Sequence, residues 1–367
     1  MHEFLGKLAI FLVWTWSLVV VRPTGAEERV RLVFTVDQGF GNGLVINRDV
    51  EAMQRIAVAL KSLEPAYAVY ALFQPQVADR DLLDTMLDIC VRSDLPFVFD
   101  VYSSEAMTLG TSTPHNAPAD GPNGVAISIE DLTRYKHRYG RWLAGVRIME
   151  VFSQDYTVQG IRTNHPEWKG ENWVMPPGDF FRPEIARLFL AFAREHGLFL
   201  HFTDWHWHRF GSWDKRQRGR EDALRELLRE FPDRVTVVYA NNEPQEKAAD
   251  RLGHWQEAVQ PFIADGARGF GLSAQAWLRE PEMLCPVEDV ISWMRSALAL
   301  DCRVVQFEPA WYFFQLPRGT FYRGDYTGDP RWLDRGQPTP AFHALRRALL
   351  DASSTTAEMI TMSGIGG

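Results

Sequence analysis

Three glutamates, far apart in the chain, each follow a short β-rich run and are flanked by aromatic residues. They are Glu150 in "RIMEVFSQD", Glu243 in "YANNEPQ" and Glu308 in "VVQFEPAW". A carboxylate at such a place is costly to bury unless it is paired or hydrogen-bonded, so its position indicates a use. Two carboxylates flanking a sugar linkage can protonate the leaving oxygen and either activate water or attack the anomeric carbon. We therefore predict that Glu150, Glu243 and Glu308 are catalytic.

Each glutamate also has a structural interpretation. Glu150 would pair with a loop arginine, and Glu243, beside Pro244, would cap the next helix. The structural interpretation is weakest for Glu308, because the run before it is apolar and the residues after it are aromatic.

Further polar and aromatic residues follow the predicted strands and are expected to contact a sugar. Tryptophan offers a flat apolar face for a pyranose ring and an indole N–H for a hydroxyl. The predicted substrate-binding residues are Asp37, Tyr102, Asp204, Trp205, His206, Asn242, Trp277 and Trp311.

The stretch "HFTDWHWH" raises a metal hypothesis. Asp204, His206 and His208 stand at alternate positions and would share one face of a strand, as a carboxylate and two imidazoles. Metal-binding barrel hydrolases collect ligands from several strands, however, and no second histidine pair stands at another predicted strand end. We predict no metal, and substrate hydrogen bonding by His206 or His208 is the favoured interpretation.

Other catalytic motifs are missing from the sequence. No G-x-S-x-G elbow supports a serine hydrolase. The stretch "VDQGFGNG" at 36–43 matches G-x-G-x-x-G poorly, so it does not support a dinucleotide site. We predict that the protein uses no cofactor.

Short β-rich runs alternate with amphipathic helical patterns along the chain. Parallel strands need crossover connections, so this alternation favours a (β/α)₈ TIM barrel over a doubly wound open sheet. Long rim loops are predicted after strands three and four, over 103–147 and 160–179. The predicted strands are 31–36, 68–73, 97–102, 145–152, 198–203, 234–240, 269–273 and 303–307.

The first 26 residues differ from the rest of the chain. Lys7 lies in a short polar start, an apolar run follows from Leu8 to Val21, and Thr24-Gly25-Ala26 offers small residues for cleavage. This pattern is typical of a secretory signal peptide, and the run is short for an uncleaved membrane anchor. We predict a signal peptide over 1–26, a catalytic domain over 27–352 and a disordered tail over 353–367. The mature protein is expected to be secreted or periplasmic, with no membrane contact.

Composition narrows the choice of partner. A formal net charge of −8 argues against binding to nucleic acid, which concentrates Lys and Arg on one face of a protein. Cys90, Cys285 and Cys302 form no metal-ligand spacing; a Cys285–Cys302 bridge is possible, but buried thiols are the prediction. We expect a monomer whose partner is an oligo- or polysaccharide.

The strand-end glutamates resemble two groups of glycosidases. Asn242-Glu243-Pro244, with Glu308 after a later strand, is similar to the (β/α)₈ retaining glycosidases whose acid/base sits in an Asn-Glu pair. In that clan the pair follows strand four and the nucleophile strand seven, whereas here they follow strands six and eight. The chain as a whole resembles catalytic modules of glycoside hydrolase family 98, although no long diagnostic motif and no accompanying carbohydrate-binding module is present. That resemblance implies inversion, with Glu150 facing the pair Glu243 and Glu308.

The sequence therefore predicts a glycoside hydrolase with Glu150 as general acid, Glu308 as base and Glu243 as its partner. The competing assignment makes Glu243 the acid/base and Glu308 the nucleophile. Two other classes stay open: a secreted carbohydrate-binding barrel without turnover, and a metal-dependent hydrolase that uses Asp204, His206 and His208.

Overall fold

Eight parallel strands close into a barrel in the order in which they occur along the chain. The structure is a computed structural model that describes residues 29–37, 49–64, 66–73, 80–101, 127–149, 183–204, 215–241, 257, 259–275, 285–300, 302–308, 310–316, 330 and 333–363. Helices lie between the strands, so the predicted (β/α)₈ TIM barrel is confirmed and the open sheet is excluded.

The strands match the β-rich runs found in the sequence to within a few residues. Each is dominated by β-branched, aromatic or other apolar residues, which favour a pleated sheet buried on both faces. The strands are β1 (Arg31–Asp37), β2 (Ala68–Phe73), β3 (Phe97–Val101), β4 (Leu143–Met149), β5 (Phe199–Asp204), β6 (Val235–Asn241), β7 (Gly269–Gln275) and β8 (Val304–Glu308).

The helices cover the outside of the barrel. Asp49 caps the first of them by accepting the Ala52 N–H at 3.0 Å, and Ser128 and Asp131 form a capping box on the third. The helices are α1 (Val50–Lys61), α2 (Arg80–Arg92), α3 (Ile129–Tyr139), α4 (Pro183–Glu195), α5 (Lys215–Glu230), α6 (Val287–Ala299), α7 (Ala310–Phe313) and α8 (Pro340–Ser363).

Outward-facing residues of the strands pack against these helices in one large core. Phe34 on β1 stacks on Phe307 on β8 with ring centroids 4.7 Å apart, and Phe313 of α7 meets both rings edge-on. This contact closes the barrel between its first and last strands.

Inward-facing residues at the amino end of the barrel form a second, apolar cluster, which we call the amino-end plug. The ring of Phe199 fills the place that a Cβ on Gly145 would occupy, 2.6 Å from the ring, so glycine is required there. The Arg31 guanidinium lies over the same ring, 4.7 Å from its centroid. The plug consists of Val33, Leu72, Val98, Val238 and Val304, with Tyr70 and Phe199 packed against them.

The structure also bears on the predictions for the cysteines, the carboxyl-terminal segment and the rim loops. Cys90, Cys285 and Cys302 are buried and form no disulfide, which confirms the predicted buried thiols. Helix α8 continues to Ser363, past residue 352, because no Gly or Pro interrupts the sequence before Gly364. The proposed signal peptide and the rim-loop positions 103–126 and 160–179 lie outside the described residues. The remainder of the first predicted rim loop is wrong, because Ile129–Tyr139 form α3 and β4 begins at Leu143. Among the helices that the structure describes, none is long and apolar enough to span a membrane.

Candidate active site at the carboxyl end of the barrel

Inward-facing residues change from apolar to polar toward the carboxyl ends of the strands. In a (β/α)₈ barrel, residues from alternate strands share a layer. The strand register puts Arg147 and Gln306 in one layer with the plug residues Leu72 and Val238. Glu308 lies two residues further along β8, at the mouth of the barrel. Between these two levels lies what we call the polar layer, made of Thr35, Asp100, Thr203 and Ser273.

A buried ion-pair network crosses the mouth. The Arg147 guanidinium donates to both oxygens of Asp100, from Nε to Oδ1 at 3.0 Å and from Nη2 to Oδ2 at 2.7 Å. Its Nη1 donates to Oε1 of Glu308 at 2.6 Å. The Arg147 side chain is 1% exposed and those of Asp100 and Glu308 are 0% and 6% exposed. One guanidinium therefore ties β3, β4 and β8 together.

Two more donors fix the orientation of Glu308. The Thr35 hydroxyl donates to Oε1 at 3.3 Å, and the Gln306 side-chain amide donates to the same oxygen. With the Arg147 bond, three donors converge on Oε1. Such support restricts the rotamers of the carboxylate, as catalytic and binding groups require.

The three described side chains of the network, two carboxylates and one guanidinium, are buried. Burial disfavours the Arg147 cation, but attraction to Asp100 and Glu308 and the hydrogen bonds to them outweigh this, and the pKa of Arg147 is raised above its ordinary value. One cation faces two carboxylates, so the formal charge is −1. Low local polarity makes that charge more effective than it would be at the surface.

A neutral histidine lies below the network. His201 is fully buried on β5, and neither ring nitrogen has a hydrogen-bond partner among the described residues. Burial holds the pKa of His201 well below 6.5, and the positive charges of Arg147 and Arg31 lower it further. The imidazole is therefore uncharged at neutral pH, with one donor and one acceptor nitrogen.

Three further polar atoms near the mouth have no partner within the described parts of the chain. They are the hydroxyls of Thr203 and Ser273 and the Gln306 side-chain oxygen, Oε1. All three residues are at least nine-tenths buried. Buried polar atoms in folded proteins are nearly always hydrogen-bonded, so these atoms indicate a water or ligand site.

The structure describes only part of the predicted site. Glu308 is buried at the end of β8, and Trp311 on α7 is half-buried against the core. Asp37 ends β1 and Asp204 ends β5, but their side chains lie outside the described residues. The other predicted site residues fall wholly outside them and their roles stay predictions: Tyr102, Glu150, Trp205, His206, His208, Asn242, Glu243 and Trp277.

The described strand ends nevertheless show which strand each of two of these glutamates follows in the sequence. Glu150 directly follows β4, which ends at Met149, and Glu243 is the second residue after β6, which ends at Asn241. With Glu308 on β8, the three glutamates belong to every second strand. The Asn-Glu pair thus follows strand six, so the departure from the retaining clan seen in the sequence stands.

Sequence reasoning that looked only at strand ends missed the polar residues inside the strands. Their signal is a polar residue at an inward position of an otherwise apolar run, as in "GVRIM", "LHFTD" and "VVQFE". The residues found this way are Thr35, Asp100, Arg147, His201, Thr203, Ser273 and Gln306.

No group of three or more metal-binding side chains occurs among the described residues. The side chains of Asp204, His206 and His208 lie outside that part of the chain, so the structure does not test the metal hypothesis.

Comparison with known proteins finds no relative by sequence and only distant likenesses among solved structures. The sequence matches no protein-family profile and no curated protein. Among solved structures, the spore coat polysaccharide biosynthesis protein SpsE of Bacillus subtilis is 10% identical, with a TM-score of 0.43 over 91% of this chain and 70% of that one. A psychrophilic glycoside hydrolase family 10 endo-β-1,4-xylanase is 10% identical, with a TM-score of 0.42 over 87% of this chain and 96% of that one.

The glycoside hydrolase domain of PgaB from Bordetella bronchiseptica is 14% identical, with a TM-score of 0.41 over 88% of this chain and 98% of that one. Aldolases match at similar levels. At such identities and TM-scores the neighbours carry no argument about activity.

Proposed function

We propose that this protein is a glycoside hydrolase that cleaves O-glycosidic bonds of an oligo- or polysaccharide by carboxylate catalysis. The observation that carries the proposal is Glu308, a buried carboxylate held by Arg147, Thr35 and Gln306 at the carboxyl end of β8. Active sites of (β/α)₈ enzymes lie at this end of the barrel.

The charge of the network supports this chemistry. Glycoside hydrolysis passes through a transition state in which positive charge develops on the sugar ring. A fixed, buried network with a formal charge of −1 stabilises such a cation more than it stabilises the neutral sugar, which is what catalysis requires.

Roles for the three glutamates follow from the ion pair. Glu308 is the charged partner of Arg147, and both roles predicted for it, base and nucleophile, use a charged carboxylate. The acid role then belongs to Glu150 or Glu243. A carboxyl separation of roughly 5–5.5 Å implies retention and one of about 6.5–9.5 Å implies inversion.

The first experiment measures the release of reducing ends from a panel of neutral plant, bacterial and animal polysaccharides. We expect turnover on at least one of them, and we expect Glu308→Gln to lower kcat by roughly a thousandfold or more, since it removes the charged oxygen. Glu288→Gln, at a surface glutamate in the first turn of α6, is the matched control and should leave kcat unchanged.

Three results would contradict the proposal. Equal turnover by Glu308→Gln would remove Glu308 from the mechanism. Saccharide binding without any turnover would favour the carbohydrate-binding barrel. Loss of activity with a chelator would favour the metal-dependent hydrolase.

We also propose that residues 1–26 are removed on export and that the mature monomer acts outside the cytoplasm. The support is the apolar run from Leu8 to Val21, followed by small residues. Amino-terminal sequencing of the exported protein should find residue 27 first; an intact amino terminus would contradict cleavage.

A further inference from the structure

The polar layer has two unlike halves. On β1 and β3 its members are paired, Thr35 with Glu308 and Asp100 with Arg147. On β5 and β7 its members, Thr203 and Ser273, have hydroxyls without a partner among the described residues. An unpaired buried hydroxyl costs free energy, so half of the layer is built around a group that the described part of the chain does not supply.

The geometry points to a subsite in which Thr203 and Ser273 hydrogen-bond a hydroxyl group of a neutral sugar that is bound beside Glu308. This inference rests on the proposed function, because it names a recognition element for the same substrate. It adds two residues that strand-end reasoning did not select.

The position of these hydroxyls suits contact from the mouth. β6 lies between β5 and β7, and β8 neighbours β7 on the other side. Ser273 pairs in register with Gln306, so Glu308 is the inward residue of β8 that lies one layer nearer the mouth than Ser273.

The chemistry of the surrounding atoms selects a neutral ligand group that both donates and accepts. Hydroxyls of threonine and serine both donate and accept, and the Gln306 side-chain oxygen accepts. A sugar hydroxyl has the same dual character. An anionic ligand is disfavoured, because the Asp100–Arg147–Glu308 network carries a formal charge of −1.

A double-mutant cycle between protein and ligand tests the inference without relying on turnover. Binding of D-glucose, D-galactose, D-mannose and D-xylose is measured by ligand-observed NMR, and the best binder is replaced by its series of monodeoxy analogues. Glu308→Gln serves as the background, so that no probe can be consumed.

We expect Ser273→Ala to weaken binding by about fivefold to tenfold, the value of one hydrogen bond. One monodeoxy analogue should bind the Glu308→Gln protein more weakly than the parent sugar by the same factor, and it should lose nothing further when Ser273→Ala is added to Glu308→Gln. Thr236→Val removes a buried hydroxyl near the amino end of the same barrel interior and should leave every affinity unchanged.

Several outcomes overturn the inference. They are no binding of any monosaccharide, equal losses for all deoxy analogues in both backgrounds, or a crystal soak that retains only water at the two hydroxyls. The proposed hydrolysis fails separately: if the coupling is found but the unsubstituted protein releases no reducing ends, the subsite stands and the catalytic role of Glu308 does not.

Discussion

The two ends of the barrel interior are built from the same strands but have opposite character. At the amino end, the five aliphatic residues of the plug pack with Tyr70 and Phe199. One or two inward positions further along, three of the same strands carry Thr35, Asp100 and Glu308, all buried. Two residues of a strand span about 7 Å, so this change takes place over a short distance.

The amino end of the barrel interior contributes stability, and the carboxyl end carries the groups proposed to act on a ligand. The plug gains free energy from apolar burial, whereas the mouth contains charges and unpaired polar atoms that are costly to bury. A fold keeps such atoms where a ligand or a reaction uses them. Substitutions at the two ends should therefore have different effects on stability and on saccharide binding.

The first prediction concerns the cation of the network. Arg147→Met would remove the cation that pairs with buried Asp100 and Glu308, and we expect it to lower the free energy of unfolding by about 3–5 kcal/mol. Denaturant unfolding measures this. Arg141→Met is the control, because Arg141 is 81% exposed and 4.0 Å from Asp94. A loss below about 1 kcal/mol would mean that the network is not a buried ion pair.

The second prediction concerns the plug. Leu72→Ala removes a fully buried side chain and should cost about 3 kcal/mol of unfolding free energy through lost burial and a cavity. It should leave monosaccharide affinity unchanged, because Leu72 lies below the mouth. The control Val58→Ala, on the exposed face of α1, should change stability by less than about 0.5 kcal/mol. A loss of saccharide affinity in Leu72→Ala would show that the plug also supports binding, which would contradict this prediction.

The third prediction is a pH dependence at His201. The pKa of His201 is lowered in the folded protein, so below pH 6.5 the unfolded chain binds a proton that the folded one does not. Stability from this residue is present above 6.5 and is lost as the pH falls. Between about pH 7.5 and 5.5 the free energy of unfolding should therefore fall, by an amount on the order of 1 kcal/mol.

His201→Gln should remove that part of the pH dependence. Unfolding curves of both proteins at the two pH values give the difference directly. Identical pH dependence in the two proteins would show that His201 is protonated in the fold.

The smallest effect is expected at Thr203. Its hydroxyl has no partner among the described residues, so Thr203→Val should change the free energy of unfolding by no more than about 1 kcal/mol. Because the substitution removes an unpaired buried hydroxyl, we expect the change to be an increase in stability. Monosaccharide affinity should fall in the same variant. Thermal unfolding and ligand-observed NMR together measure both, and a large loss of stability would instead identify a structural bond.

The fold was predictable because its signals are local. Runs such as "RLVFTV" and "AVYALF" favour strands, and the amphipathic segments between them can only be crossover helices if the strands are parallel. The strand ends, and with them the position of Glu308, followed from the turn residues after each run.

The partners of Glu308 were not predictable in the same way. Arg147 is 161 positions away and Thr35 is 273 positions away, and only closure of the barrel brings β1 and β4 near β8. Which inward residues share a layer depends on the stagger of the strands, which no short pattern specifies. The position of Gln306 within "VVQFE" marks it as an inward residue, but reasoning from strand ends alone passed over it.

The central claim is that the carboxyl end of the barrel binds and cleaves a saccharide beside Glu308. The most direct measurement is a crystal structure of Glu308→Gln with an oligosaccharide cleaved by the unsubstituted protein. The account predicts a sugar ring above the polar layer, with the side chain at position 308 about 3 Å from the scissile linkage or from a water beside it. A saccharide bound on the outer helices, or one that reaches the mouth without approaching position 308, would contradict it.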